Sequence, residues 1–232
     1  MDEAESWEGR VLEAQAMSTS EIINEGRTEQ KTMEVARNAS EWLDRLTADF
    51  HADCMPRLAC KEGCSYCCSV PVDVSAPEVF AIAELLKATR SKDELDALRH
   101  RIDDYLERHA GLSHQDMRMA RVVCPLLESD RCSIYPVRPL ACRGWNSYDV
   151  EKCKRDYEAP LKAGGIEVFA PQFKAAQAIK KGLRVALEAA GLEHKKMNLV
   201  AALKIAIETE DALKRWLSGE DVFREAEEPA VS

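Results

Sequence analysis

Eight cysteines in two short blocks constrain this chain more than any other feature. The first block, CKEGCSYCC, contains Cys60, Cys64, Cys67 and Cys68. The second runs from Cys124 through Cys132 and Cys142 to Cys153. Thiols this close together form disulfides or bind a metal. The blocks lie in Pro- and Gly-rich segments, 54–74 and 122–165, and segments of this kind need something to order them.

The compartment decides between disulfides and metal. The start of the sequence, MDEAESWEGR, is acidic and contains no apolar run typical of a secretory signal. We therefore expect a cytoplasmic protein, in which thiols stay reduced. Nine cysteines in all is also an odd number, so disulfides cannot use every one. The sequence favours metal binding.

Charge and hydropathy exclude two kinds of partner. The net charge is −9, and residues 1–50 contain twelve Asp and Glu against five Lys and Arg. Binding to a phosphate backbone needs a basic surface, so we expect no nucleic-acid partner. No apolar run is long enough for a membrane span, so we expect no membrane partner either.

The remaining sequence predicts a mostly α-helical fold with little β structure. Apolar residues recur every three or four positions, and Ser75-x-x-Glu78 and Ser91-x-x-Glu94 are capping boxes. Predicted helices span 30–50, 76–88, 92–110, 171–190 and 195–217, with a short one over 5–16. They would bracket a metal-ordered core of loops outside the helices. Short extended patches lie at 70–74 and 166–169.

Three parts are predicted along the chain. Residues 1–29 form an acidic, partly helical extension, residues 30–220 a single cysteine-cluster domain, and residues 221–232 a loose tail. The motif core of that domain spans 58–155.

The eight cysteines allow several ligand sets. They suffice for two tetrathiolate sites, or for one site with spare thiols. Successive side chains diverge, so we expect Cys67 and Cys68 to serve different sites, unless one of them is not a ligand. We expect the ninth cysteine, Cys54, to be the least involved. The five histidines are expected on the surface, although His51 is close enough to Cys54 to join a site.

Three polar residues of the second block could support the ligands. Arg138 and Arg143 would offset thiolate charge and donate hydrogen bonds to sulfur, and Tyr135 lies beside them in the sequence. Arg121 and Arg131 could do the same, but pairing with acidic residues such as Glu128 is an equal alternative.

Together the blocks resemble a known family. CKEGCSYCC followed by Cys124-Pro125-Leu126-Leu127, Cys132, Ile134-Tyr135, Arg138-Pro139 and Cys142-Arg143 is similar to the YkgJ-like cysteine-cluster family, the CxxCxxCC zinc- or iron-chelating domain. This sequence departs from the pattern in the three residues between Cys60 and Cys64. The resemblance implies binding of zinc or iron, as an ion or a four-iron, four-sulfur cluster.

Three other functions remain open. A similar cysteine domain in flagellin lysine N-methylase implies a methyltransferase using S-adenosylmethionine on a protein substrate. The acidic helices would also suit an interaction module with structural zinc. Finally, Cys60-x3-Cys64-x-Tyr66-Cys67 fits the radical-SAM motif, but such enzymes need a partial β/α barrel, which the helical pattern does not predict. Whether the protein is an enzyme is undecided from the sequence.

Overall fold

The structure is a computed structural model that describes residues 6–52, 56–160 and 165–226. Within these ranges the protein is mostly α-helical, as the sequence predicts. The helices are α1 (Trp7–Glu25), α2 (Glu29–Ala52), α3 (Ala76–Thr89), α4 (Lys92–His109), α5 (His114–Ala120), α6 (Leu140–Gly144), α7 (Val150–Glu158), α8 (Ala170–Ala189), α9 (Leu199–Glu208) and α10 (Ala212–Leu217).

The β structure of the described residues consists of two short antiparallel pairs. Strand β1 (Asp73–Val74) pairs with β4 (Met197–Asn198), and β2 (Leu127–Glu128) pairs with β3 (Arg131–Cys132). Two 3₁₀ helices, Tyr66–Ser69 and Tyr135–Val137, lie in the cysteine blocks. The described residues therefore contain no β/α barrel of the kind that a radical-SAM enzyme needs.

Both predicted capping boxes start helices. The Ser91 amide donates to Glu94 Oε2 at 2.8 Å, and the Glu94 amide donates back to Ser91 Oγ. At the start of α3, the Ser75 amide donates to Glu78 Oε2 at 2.8 Å. These bonds satisfy amides that have no partner within the helix.

Helix α8 lies at the centre of the fold and contacts α1, α2 and α6. Helix α1 packs along it and runs nine residues beyond the predicted 5–16, to Glu25. One hydrophobic core extends from Val11 in α1 to Ala226. The division of the chain at residues 29 and 220 stays a prediction.

The predicted helix 195–217 is wrong as a single element. Met197 and Asn198 form β4, and Asp211 has a left-handed backbone with φ of 51° between α9 and α10. Asn198 Oδ1 accepts from the amides of Val200 and Ala201, which starts α9 two residues after the strand begins. The apolar periodicity continues across both breaks and hides them.

Part of the cysteine-rich core is helical, although the sequence predicts irregular loops there. Cys142 lies in α6, Cys153 in α7, and Cys67 and Cys68 in a 3₁₀ helix. These helices have nine residues or fewer, too short for the periodic pattern to show. No strand forms over 166–169. Cys54 lies outside the described residues.

The surface prediction for the histidines is wrong for His109. Its side chain is buried, and its Nδ1 lies 3.0 Å from the Tyr105 carbonyl oxygen one turn earlier in α4. None of the helices in the described part of the chain is long and apolar enough to cross a membrane.

The close contact between α1 and α8 predicts the effect of a substitution at Gly182. A Cβ there would lie 2.5 Å from the Leu12 carbonyl oxygen and 2.8 Å from the Gln15 Cβ. Gly182→Ala should therefore lower the free energy of unfolding by about 1–3 kcal/mol, measured by urea denaturation. A gain in stability, as expected from helix propensity alone, would contradict this packing. Val185→Ala, at an exposed position of α8, is the control and should change stability by under about 0.5 kcal/mol.

Candidate metal centre

One cavity of about 350 Å³ brings the two cysteine blocks together. It lies beside α2 and the first turn of α8, and its wall includes apolar side chains such as Val70, Leu126 and Ile134. Seven of the predicted ligand cysteines line it: Cys60, Cys64, Cys67, Cys68, Cys124, Cys132 and Cys142. Residues about 60 positions apart in sequence therefore share one site.

The first block reaches the cavity through a turn and a 3₁₀ helix. The Cys64 amide donates to the Lys61 carbonyl at 3.1 Å across a turn in which Gly63 has φ of 87°. That backbone conformation favours glycine. The Cys68 amide then donates to the Ser65 carbonyl oxygen at 2.9 Å. Cys67 and Cys68 both line the cavity.

A backbone hydrogen bond joins the two blocks. The Cys124 amide donates to the Cys68 carbonyl oxygen at 2.7 Å. The chain then turns at Leu127 and forms the β2–β3 hairpin, in which Cys132 is opposite Leu127. Ser129 and Asp130 form its tight turn with φ of 49° and 61°. The hairpin thus returns Cys132 to the side of Cys124.

Cys142 is positioned by the packing of α6. The Leu140 amide at the start of this helix donates to the buried Glu78 carboxylate at 2.7 Å. At its end, the Arg143 carbonyl accepts from Gln172 Nε2 at 2.7 Å, and Gly144 lies directly against Ala176 of α8. Cys142 therefore sits on a short helix held from both ends.

Arg143, predicted to support the ligands, lines the cavity, but its guanidinium donates its hydrogen bonds to oxygen atoms of other residues and not to sulfur. Its Nη1 donates to both Asp44 carboxylate oxygens, at 2.9 and 2.7 Å, and its Nε donates to the Arg138 carbonyl at 3.0 Å. Nη2 donates to the Pro136 carbonyl. These bonds tie the 136–138 segment to α2. Arg143 thus holds the wall of the cavity in place.

Arg138 is closer to the predicted role. It lines the cavity with Tyr135, and its guanidinium carbon lies 4.1 Å from the centre of the Tyr135 ring. Its buried Nε has no hydrogen-bond partner in the described structure. Its positive charge acts to lower the pKa of Cys67, Cys132 and Cys142. Arg138 therefore places a positive charge, with one unused N–H donor, near the sulfurs.

Burial nonetheless raises the pKa of several of these thiols, which favours their protonated form further. It raises the pKa of Cys60 to about 11 and that of Cys124 to about 12, and the pKa of Cys142 lies well above its ordinary value. Cys67 also has a strongly raised pKa, first because of its hydrogen bond with the Cys68 side chain and then because of burial. Cys60 and Cys67 are nevertheless exposed, because solvent reaches them through the open cavity while protein surrounds them.

The side chains around this cavity include enough cysteines to bind a thiophilic metal. The eight described cysteines are all free thiols, and thiolates bind zinc and iron–sulfur clusters. Within the described residues, however, no three Cys, His, Asp or Glu side chains are already placed to hold one ion. Binding would therefore require the thiols to rotate or draw closer together.

Cys153 lies at the side of the cavity and not on its wall. It is linked to Cys60 through the buried Ser147. The Ser147 carbonyl is 4.0 Å from Cys60 Sγ, and burial raises the pKa of Cys153, which Ser147 acts to lower. The same carbonyl accepts from the Ala59 amide at 2.9 Å.

Arg121 and Arg131, the other two arginines of the second block, have different surroundings. Arg121 donates to Asp156 Oδ2 at 2.6 Å, and Arg131 is exposed. Glu128, one of the acidic partners that the sequence offers, instead pairs with Arg90 and Arg101.

Three residues of the cavity were missed or only weakly indicated by the sequence. Asp44, His51 and Gln172 line it, and His51 Nε2 lies 2.9 Å from Gln172 Oε1. His51 is close in sequence to the first block, which gave a weak signal. Asp44 and Gln172 lie on helices far from both blocks, and only the fold brings them there.

Comparison with known proteins finds one family that matches this part of the chain. A family model named CxxCxxCC and described as "Putative zinc- or iron-chelating domain" matches residues 59–159. Residues 59–159 form a CxxCxxCC domain. The match includes all eight clustered cysteines and covers somewhat under half of the chain. No curated protein and no solved structure gave a significant match.

The close contact of α6 with α8 predicts the effect of adding one methyl group to the CxxCxxCC domain at Gly144. A Cβ at Gly144 would overlap the Ala176 Cβ, so Gly144→Ala should push α6 and Cys142 away from α8. We expect a loss of about 1–3 kcal/mol of stability in urea denaturation and less metal per chain by mass spectrometry.

The matched control is a second substitution, in α8, that restores the space between the two helices. Adding Ala176→Gly removes the overlapping methyl group and should recover most of the lost metal, although glycine in a helix costs up to about 1 kcal/mol. Equal losses in the single and double variants would show that the contact does not position Cys142.

Proposed function

We propose that the protein binds zinc or iron through thiolates of the CxxCxxCC domain. The observation that supports this most is the convergence of seven free cysteines from two distant segments on one cavity. Several cysteines brought together from separate segments are the donor set that a thiophilic metal takes. The metal would replace the thiol protons and take up the negative charge of the thiolates.

The charge around the cavity supports the same proposal. A divalent ion with four thiolates carries a net negative charge, and Arg138 faces the thiols with an unpaired Nε. Arg57 and Lys61 also line the cavity. Positive charges beside the cavity would stabilise thiolates.

Metal analysis of protein produced and purified without oxygen tests the proposal. We expect stoichiometric zinc or iron that is lost in Cys124→Ser and Cys142→Ser variants, and acid-labile sulfide if the iron forms a cluster. Cys54→Ser, in the cysteine outside both motifs, is the control and should keep its metal. Metal-free protein with every thiol open to titration would contradict the proposal.

The raised thiol pKa values predict a steep pH dependence. A thiol whose pKa lies above its ordinary value is protonated at neutral pH, so the metal must displace that proton. Apparent zinc affinity should therefore rise with pH, by about tenfold per pH unit for each proton released. Competition with a chromophoric chelator between about pH 6 and 8.5 measures this slope. A flat profile would indicate carboxylate ligands, which are already ionised in this range.

The size of the cavity supports a second candidate function. At about 350 Å³ it has the volume of a small-molecule site, and Tyr135, Trp145 and Arg143 line it beside the cysteines. A methyltransferase that uses S-adenosylmethionine on a protein substrate would need such room. Calorimetry of the metal-loaded protein with S-adenosylmethionine tests this. Absence of binding would leave metal binding as the function of the cavity.

A further inference from the structure

A second groove, of about 210 Å³, lies where α8 meets the β1–β4 pair and the segment before β4. None of the described cysteines lines it. Its wall contains two acidic residues, Asp73 and Glu78, and six basic ones: Lys180, Lys181, Arg184, His194, Lys195 and Lys196. This basic surface belongs to a chain whose net charge is −9. We infer that the groove binds a small anion with linked phosphate groups, such as a diphosphate.

Helix α8 contributes one row of cations to the groove. Gln177, Lys180, Lys181 and Arg184 follow one another at steps of one, three and four positions, so they lie on one face of the helix. Lys181 and Arg184 are exposed to solvent. Like charges three and four positions apart destabilise a helix, and a bound anion would offset that repulsion.

The segment 193–196 contributes the other cations and is fixed on both sides of them. Before them, Trp216 Nε1 donates to the Glu193 carbonyl oxygen at 3.3 Å, and both of these residues are buried. After them, Met197 pairs with strand β1. The exposed Lys195 and Lys196 therefore extend from a backbone that is already held in place.

The two carboxylates of the groove wall already have partners. Asp73 Oδ2 lies 2.6 Å from Lys180 Nζ, and the side chain of this lysine is largely buried. Glu78 Oε2 accepts from the amide and the hydroxyl of Ser75, and its Oε1 accepts from the Leu140 amide. These contacts leave the carboxylates little tendency to neutralise the other cations of the groove.

Arg184 and Lys196 are the cations best placed to meet an anion from solvent. Both are exposed, and neither forms an ion pair with another residue that the structure describes. Lys195 Nζ lies 3.6 Å from Asp221 Oδ2, too far for a hydrogen bond, so it can also turn toward a ligand.

The size and charge of the groove indicate the class of ligand. Five Lys and Arg side chains against two carboxylates leave three positive charges. A phosphate group carries about 1.5 to 2 negative charges at neutral pH, so two such groups match the groove better than one. Lysine binds phosphate as a point charge, and arginine can donate two parallel hydrogen bonds to it. A long nucleic-acid strand would extend beyond the groove onto a negatively charged protein.

Calorimetric titration of the full chain with inorganic pyrophosphate tests this inference. We expect saturable binding at a single site, and weaker binding of sulfate, which has only one charged centre. Arg184→Gln combined with Lys196→Gln should weaken pyrophosphate binding by about tenfold or more, because two charged contacts are lost. This variant keeps every cysteine, so pyrophosphate that binds to metal in the cysteine cavity contributes equally to both titrations.

The matched control removes the same charge outside the groove. Arg108→Gln combined with Lys214→Gln changes two exposed side chains that do not line it, and should alter the affinity by less than about twofold. Circular dichroism checks that both double variants keep their helices. Equal weakening in the two variants, binding without saturation, or sulfate binding as tight as that of pyrophosphate would overturn the inference.

Sedimentation with vesicles distinguishes a free phosphate compound from a phospholipid headgroup. We expect the protein to stay in solution when mixed with phosphatidylcholine vesicles that contain phosphatidylglycerol. Sedimentation that is lost in the Arg184→Gln, Lys196→Gln variant, without saturable pyrophosphate binding, would overturn the assignment to a small anion and favour a lipid headgroup. None of these outcomes depends on metal binding by the cysteines.

Discussion

The cysteine site depends on how closely α6 approaches α8. Gly144 lies against Ala176 with no room for a side chain, so the short helix that carries Cys142 rests directly on the central helix of the fold. The Glu78 carboxylate and Gln172 fix the two ends of that helix. A five-residue helix has little stability of its own. Its position is therefore set by the packing of α3 and α8, and the position of Cys142 follows from it.

Burial and nearby positive charge act in opposite directions on the pKa of the cavity thiols. Burial favours neutral thiols, whereas the positive charge of Arg138 favours thiolates. A metal bound as proposed would remove this conflict, because it would make the buried thiolates favourable and leave the arginine to balance the remaining negative charge. The metal-free protein and the metal-bound protein should therefore differ most in the cysteine blocks and least in the helices around α8.

Local signals predicted the parts of the fold whose stabilising contacts are themselves local. The boxes at Ser75 and Ser91 start helices where the sequence indicates, because the capping bonds join residues three apart. The helix break at Asp211 was not predicted, because apolar residues keep their helical spacing on both sides of it. Helices α6 and α7 escaped it too, because so few turns give no clear period. His109 was placed on the surface because its helix is highly charged in sequence.

The sequence by itself determined the chemistry of the candidate site. Cysteine spacing in two blocks, with Arg138 and Arg143 beside the second, is a property of neighbouring residues and is readable without a fold. Tertiary structure alone decided which thiols face one another and what else lines the cavity. Three features join residues far apart in the chain: the hydrogen bond from Cys124 to Cys68, the contact of Ser147 with Cys60, and the position of Asp44 and Gln172 on the cavity wall. Such contacts depend on helix packing, which no local pattern specifies.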